Sequence, residues 1–395
     1  MTVLGRRAFK SAVAVLEGNG AAFITFCTIF LSVLFIPSLS DAYPFFSRQV
    51  GRDCTFCHSI FPKLNETGRM FRSGGYRLPA EAEWKEVKDL SSIPASVEVE
   101  VEASYNDLAS NGAKSDSSDL KIEEIELFAG GAFGKTGRLS VNSALTFEET
   151  EAGADVSITK AFLQVNDLLG PMGEGRLNLR AGKWDIGLPF INTIAPISNR
   201  YLAESAIGVL SIEKKALELN GTFTSEGETL TVTQRWAVGA SREEIESDDK
   251  LKGAYALYSV TFQEDYSLGA LVRTGEEATG GADESYTKYG VAGEAELGPT
   301  ILTLGYFRSD ALYDADDFLV EAFWLPRAKV KLGIRYEYLK EDGSQGVSSQ
   351  TLMARYNILS NAYIQAEYRL LSDEDHVTSV NEDETKLRAF LVAVF

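Results

Sequence analysis

The sequence predicts a mostly β protein: an antiparallel, membrane-spanning barrel of about sixteen strands, preceded by a short segment of different texture. Three observations predict it. From Ser96 onward, stretches of roughly ten residues alternate polar and apolar positions and end in Gly, Asn, Asp or Ser, the weak per-segment signature of a transmembrane barrel. The connections between them alternate short and long. The chain ends on an apolar stripe, Leu387, Ala389, Leu391, Ala393 and Phe395, that finishes in an aromatic.

The N-terminus reads as an export signal. Arg6, Arg7 and Lys10 precede an apolar run from Ala21 to Ile36, and Ser40-Asp41-Ala42 places small residues at the first and third positions before a cut. Residues 1–42 are therefore expected to be a signal peptide and the mature chain to begin at Tyr43. The apolar run is shorter than the ~20 residues of a spanning helix; a retained anchor is the alternative. Arg6-Arg7 also resembles a twin-arginine signal, but an ordinary basic region suits a chain that must cross unfolded. Cys27 falls inside the signal, leaving Cys54 and Cys57 in the mature chain.

Cys54-Thr55-Phe56-Cys57-His58 follows soon after the expected cut. Two thiols at this spacing can add to the two vinyl groups of one haem while the adjacent histidine ligates the iron from below, the pattern of covalent c-type attachment. The rival reading is zinc, which needs four ligands; the whole chain holds three Cys and two His, so a closed site is hard to complete. Residues 43–90 are accordingly expected to form a monohaem cytochrome c domain, with haem c bound through Cys54 and Cys57 and His58 as the proximal ligand. The distal ligand stays open. Met70 is the nearest thioether, and Met/His ligation would raise the potential. Its rivals are the amine of Tyr43, freed by cleavage after Ala42, and Met353 on the inward phase of its strand; His376, in an outer loop, is a poorer one.

Residues 91–395 supply the barrel. Val97, Val99 and Val101 alternate with Glu98, Glu100 and Glu102, and Val330, Leu332, Ile334 and Tyr336 with Lys331, Gly333, Arg335 and Glu337. Strands are expected to begin near Ser96, Leu120, Arg138, Val156, Arg176, Ile207, Thr229, Leu251, Tyr266, Tyr286, Ile301, Phe318, Lys329, Ser348, Ala362 and Thr385. Tight turns at 135–137, 298–299, 325–327 and 360–361 alternate with longer loops at 108–119, 188–206, 240–250 and 372–384, the asymmetry of short periplasmic turns and long external loops. The terminal stripe ending at Phe395 resembles the strand recognised by the barrel assembly machinery. A soluble sandwich could end likewise, but about sixteen strands without an intervening helix favour the bacterial outer membrane and its lipid.

Formal net charge is −19, and the signal carries three basic and two acidic residues, so the mature chain is near −20. Such an excess argues against nucleic acid and anionic lipid as partners and favours cations. Acidic groups recur in the expected loops: Glu148, Glu149 and Glu151; Glu243, Glu244, Glu246, Asp248 and Asp249; Asp314, Asp316 and Asp317; Glu382, Asp383 and Glu384. They would collect hydrated cations, although solvated loops need no ligand to explain them. Arg335, Arg355, Arg369 and Arg388 fall on inward phases, where they could meet haem propionates or balance wall carboxylates such as Glu337 and Glu367.

Phe45-Phe46-Ser47-Arg48-Gln49-Val50-Gly51, the Cys54–His58 motif, Phe61-Pro62-Lys63-Leu64 and Gly68-Arg69-Met70-Phe71 through Gly75-Tyr76, followed by a barrel, resemble the fused outer-membrane cytochrome-porins of iron-oxidising bacteria. The specific match covers about residues 43–80. The resemblance implies an electron-transfer oxidoreductase that oxidises extracellular Fe(II) and passes the electron through its haem to a periplasmic cytochrome or other carrier. Maturation would need a haem-ligating system. An apolar band ~25 Å tall is far for one electron step, so the haem domain is expected to plug the lumen from the periplasmic side. The inward face of the last strand, Phe390, Val392 and Val394, is apolar where a wet lumen would be polar, as a buried haem edge would require. The alternatives are an outward conduit for metal reduction and a passive porin whose haem segment is a plug or sensor.

Overall fold

The computed structural model describes residues 45–78, 94–110, 113–134, 136–150, 153–171, 173–191, 196–210, 212–243, 251–279, 282–311, 314–342, 346–375 and 380–395. The expected signal peptide, Tyr43 and His376 lie outside the described residues.

Helix α1 (Phe45–Val50) and a single 3-10 turn (Cys54–Phe56) lead into two short paired strands, β1 (His58–Ile60) and β2 (Lys63–Leu64), and then helix α2 (Glu66–Ser73). Local chemistry sets these boundaries. The Asp53 carboxylate accepts from Thr55 N at 3.0 Å to start the turn, and Asn65 accepts from Gly68 N at 3.0 Å as the N-cap of α2.

The barrel follows as β3 (Ala95–Ser110), β4 (Ala113–Phe133), β5 (Leu139–Thr150), β6 (Gly153–Leu169), β7 (Leu177–Ile186), β8 (Ile212–Glu226), β9 (Thr231–Ser241) and β10 (Gly253–Phe262). It continues as β11 (Tyr266–Thr279), β12 (Ala282–Leu297), β13 (Thr300–Asp310), β14 (Asp314–Arg327), β15 (Val330–Glu341), β16 (Gly346–Leu359), β17 (Ala362–Asp375) and β18 (Val380–Val394). Helix α3 (Leu202–Ser205) lies in the connection between β7 and β8. The strands pair antiparallel in chain order, and β18 closes on β3 with Ala389 opposite Ala103. Closure leaves no edge, so every strand's backbone groups are paired within the ring, which is the condition for crossing lipid. Phe395 secures the seam, donating from its N to Val97 O at 2.8 Å and accepting from Val97 N at 3.1 Å.

Alternation sorts the side chains as the pattern demands. Leu219, Leu268, Val291, Leu304, Ile334 and Leu352 point outward and are exposed, with Leu268 at 59%, whereas Glu294, Arg335, Glu337, Arg355 and Glu367 point inward and are buried. Exposed Phe262, Tyr266, Trp324, Tyr356 and Phe395 gather near the short-turn end, as an interfacial aromatic girdle does. An apolar outer band on a closed barrel makes this an outer-membrane protein, with the short turns on the periplasmic side.

Three boundaries differ from the expectation. The stretches 108–119 and 372–384, read as loops, are largely strand: β3 runs to Ser110 and β4 from Ala113, while β17 runs to Asp375 and β18 from Val380. A hairpin that rises beyond the lipid is wetted on both faces, so its apolar alternation disappears although its ladder continues. The strand expected at Ile207 begins at Ile212; Ile207, Val209 and Leu210 are buried in the preceding connection.

That connection, read as an external loop over 188–206, turns into the barrel. Leu188, Phe190, Tyr201, Leu202 and Leu210 form a core with inward Tyr255, Leu271, Phe307, Leu319 and Leu339. Wall charges hold its backbone: Arg335 donates to Asn199 O at 2.6 Å, Arg273 to Gly208 O at 2.7 Å, and Glu337 accepts from Leu202 N at 2.6 Å. An inward loop is the one place where irregular backbone is tolerated at membrane depth.

Candidate functional site

Residues 45–78 make long-range polar contacts with inward side chains of β5, β6, β7, β8, β9, β12 and β16, and with the backbone of the β7–β8 connection. Ser140 donates to Gly75 O at 2.7 Å, Arg77 pairs with Asp167 at 2.7 Å, and Thr222 reaches Ser73 Oγ at 3.2 Å. On the opposite wall, Lys63 and Arg69 converge on Glu294 at 2.5 and 2.8 Å, Arg69 also meets Glu66 at 3.2 Å, and Arg235 pairs with Glu66. All five groups of this network are buried. Partners on strands spread around the ring place the segment in the lumen. Sequence reasoning quoted Lys63 and Arg69 within the N-terminal motif but assigned them no role; Glu294 lies 225 residues from Arg69, a separation that no local pattern bridges.

The candidate ligands sit at the segment's short-turn side. The turn places Cys54 and Cys57 one 3-10 step apart, with Cys57 N donating to Cys54 O at 3.3 Å. Both are free thiols, Cys54 buried and Cys57 half-buried. Desolvation pushes each up to about 11, so they are neutral S–H groups. His58 Nδ1 lies 3.0 Å from Pro62 O. A carbonyl only accepts, so Nδ1 carries the proton and the lone pair resides on Nε2. Loss of solvent pushes His58 down to about 4, against the raising effect of the Pro62 and Lys63 carbonyls, and keeps the ring neutral. A backbone carbonyl on one ring nitrogen is how proteins orient a metal-binding histidine.

Among the described residues no three His, Cys, Asp or Glu side chains converge to hold a metal ion. Cys54, Cys57 and His58 therefore do not form a zinc-type cluster, but they fit a group that takes the two sulfurs on its periphery and one nitrogen at its centre. A small cleft, partly open to solvent, adjoins Cys54 and is lined by Phe61, Asn357, Leu359, Ser360, Asn361, Tyr363 and Val394. Val394 of β18 lines this cleft, and the other apolar inward residues of that strand's end, Phe390 and Val392, are buried.

Helix α2 closes over the motif through Gly68. A Cβ there would lie 2.2 Å from Cys57 O and 2.8 Å from a Leu64 methyl. Gly68→Ala is expected to push α2 off the turn and destabilise the segment by about 1–3 kcal/mol, read as increased proteolysis before Gly68 with the barrel's heat-modifiable gel migration retained. Met70 lies on α2, half-buried. It stands two residues from Gly68, so helical rotation of ~200° turns it away from the face that meets Cys57. Met353 is buried in a cluster with Ile60, Ile197, Ile301 and Phe323.

The four arginines read from the last strands as inward, Arg335, Arg355, Arg369 and Arg388, have partners of their own. Arg335 pairs with Glu321 at 2.8 Å, Arg388 with Glu367 at 3.0 Å, and Arg369 with Glu384 at 3.5 Å. These three are balanced by wall carboxylates. Arg355 differs: it donates to Phe61 O, to Pro196 O at 3.0 Å and to Gln365 Oε1 at 2.6 Å, and lies 3.8 Å over the Tyr363 ring. The acidic groups likewise divide. Glu243 is buried against Lys214 at 3.1 Å, Asp314 and Asp316 surround Arg308 at 2.8 and 3.6 Å, and Asp317 is buried, so these are not free cation-collecting groups.

No family model matches the chain, and no curated protein does. Solved structures do. The barrel is similar to an anion-selective porin from Comamonas acidovorans, at 11% identity and TM-score 0.57 over 77% of this chain and 99% of that one. The fold is that of an outer-membrane porin. The outer membrane channel DcaP of Acinetobacter baumannii matches this porin fold at 12% identity and TM-score 0.55, over 79% and 100% of the two chains. OprB of Pseudomonas putida matches at 10% identity and TM-score 0.52, over 76% and 94%. At these identities the porin likeness is one of architecture.

Proposed function

We propose that this porin-fold protein is an outer-membrane c-type cytochrome-porin: residues 43–90 carry one haem c on Cys54 and Cys57 with His58 as proximal ligand, and the chain moves an electron from extracellular Fe(II) to a periplasmic cytochrome or other carrier. The observation that carries the reading is the pairing of two free thiols on one turn with a histidine whose Nδ1 proton is committed to Pro62 O. When bound, the haem supplies a one-electron iron couple. The chain's own work is to hold and orient it: Pro62 O fixes the imidazole plane, Asp53 and Asn65 fix the turn, and α2 covers it. The cleft beside Cys54 opens at the short-turn end, so a haem carried there would be within reach of a periplasmic carrier. Fe(II) as donor rests on the family resemblance and the acidic character of the chain. Met70, the distal candidate from the sequence, faces away from the Cys57 side of α2, so Met70→Ala is expected to leave the haem spectrum unchanged; loss of the weak long-wavelength charge-transfer band of methionine-ligated ferric haem would place it on the iron.

The porin likeness favours a second reading, a passive channel in which the same segment is a plug or sensor. Two measurements separate them. Oxidised, haem-loaded protein mixed anaerobically with Fe(II) near neutral pH is expected to show the reduced haem bands in a stopped-flow trace; reduction by dithionite but not by Fe(II) would exclude iron as donor. In planar bilayers a filled lumen is expected to pass little current, and a large steady conductance would support the passive channel.

A further inference from the structure

Both carboxyl oxygens of Asp317, on the inward face of β14, are buried, and among the described residues neither has a hydrogen-bond partner. Its cross-strand neighbours are Phe307 on β13 and Leu339 on β15, and the inward positions before and after it on β14 are Ala315 and Leu319; all four are buried. They belong to the core that packs against the β7–β8 connection. A carboxylate in such a place, without water or partner, is strongly disfavoured, so the group is held as the neutral acid. At this height the outer face carries Arg308 with Asp310 at 2.6 Å, Asp314 at 2.8 Å and Asp316 at 3.6 Å, so Asp317 stands above the apolar band. Loss of solvent, and then the Glu337 carboxylate, push it up to about 8 against the pull of Arg335.

The neighbouring charges tie this carboxyl to the connection. Glu337 is its diagonal neighbour on β15, since Asp317 lies opposite Leu339 and Leu319 opposite Glu337. Glu337 accepts from Leu202 N at 2.6 Å, and Arg335 donates to Asn199 O at 2.6 Å while paired with Glu321 at 2.8 Å. On the connection, Tyr201 donates to Glu321, two inward positions along β14, and Glu204 meets Arg200 at 3.8 Å. From β13 come Phe307 and Ser309, neither charged. Glu337 and Arg335 are thus the charged groups that act on Asp317, and both hold the connection.

We propose that Asp317 is a proton-operated latch on residues 196–210 of the β7–β8 connection. With its proton on, Glu337 is left free to hold Leu202. With the proton lost, a second buried carboxylate beside Glu337 drives these residues off the wall and opens the lumen to the external side. This latch does not depend on the haem reading. Once released, Asp317 is wetted and titrates in the ordinary carboxylate range, ~4. The closed form therefore binds one proton more than the released form from there up to about 8. The released fraction should rise with pH across that window, about tenfold per unit, and level off above it.

The test is hydrogen exchange on the full-length protein in detergent micelles, read by mass spectrometry as the protection factor of peptides from 196–210, which divides out the intrinsic pH dependence of exchange. In the unaltered protein, protection is expected to fall about tenfold per unit from about pH 5 to 7, while that of β11 and β12 stays constant. Asp317→Asn, neutral at every pH, should hold one value throughout. Protection of 196–210 that ignores pH in the unaltered protein would overturn the latch. So would a slope that survives in Asp317→Asn, since that assigns the proton to another group. If Asp317→Asn does not migrate as a folded barrel, Asp317→Leu, matched to its apolar neighbours, takes its place and must be as flat.

Discussion

Replacing both Cys54 and Cys57 with alanine is expected to abolish covalent haem completely while leaving the barrel intact. The two side chains sit on one 3-10 turn and have no disulfide to lose. Neither contributes to the charge network that fixes the segment in the lumen, which runs through Lys63, Glu66, Arg69 and Arg77. Without a thiol there is no sulfur to add across a vinyl group, so peroxidase stain on denaturing gels should vanish. Heat-modifiable migration should persist. A variant that kept its stain would show that attachment lies elsewhere, and one that lost its barrel would show that the turn is needed for assembly.

Glu294→Gln should produce the second large effect. Lys63 and Arg69 both end on this carboxylate, at 2.5 and 2.8 Å, and all three groups are buried. Removing one partner of a buried ion pair typically costs about 3–5 kcal/mol, because the remaining charges are left without water and without a counter-ion. Glu66 answers Arg69 and Arg235 but cannot also reach Lys63 as placed. At ~1.4 kcal/mol per decade, the population with the segment displaced should rise about a hundredfold or more. Single-channel conductance in bilayers and protease cleavage within residues 45–78 should both increase. No change in either would mean that ring contacts with the wall, such as Tyr76 against Phe162 of β6, hold the segment without the charges.

Much of the architecture was legible because a barrel repeats one rule. Inward and outward phases were readable at Ile334, Arg335 and Phe390, since each strand carries its own alternation, and the strand count followed from the turns. The rule fails where its physical cause is absent. Beyond the lipid both faces of β3, β4, β17 and β18 are wet, so strand was read as loop. The inward course of residues 187–191 and 196–210 was invisible because an apolar loop residue such as Phe190 or Leu202 has the composition of a strand end, and only the opposing Tyr255 and Phe307 show what it buries against. At the candidate site, spacing alone marked Cys54, Cys57 and His58. Spacing could not reveal that Pro62 orients the ring, that Gly68 is the residue type that lets α2 approach Cys57, or that Arg355 reaches Phe61 O, because each depends on a neighbour brought in by the fold.

The two segments inside the ring belong to chain on opposite rims: residues 45–78 precede β3 at its short-turn end, and the β7–β8 connection descends from the long-loop end. Lys63 donates to Phe190 O at 3.0 Å, so they meet. The lumen is thus stoppered from both rims at once, and displacing either segment first breaks its contact with the other.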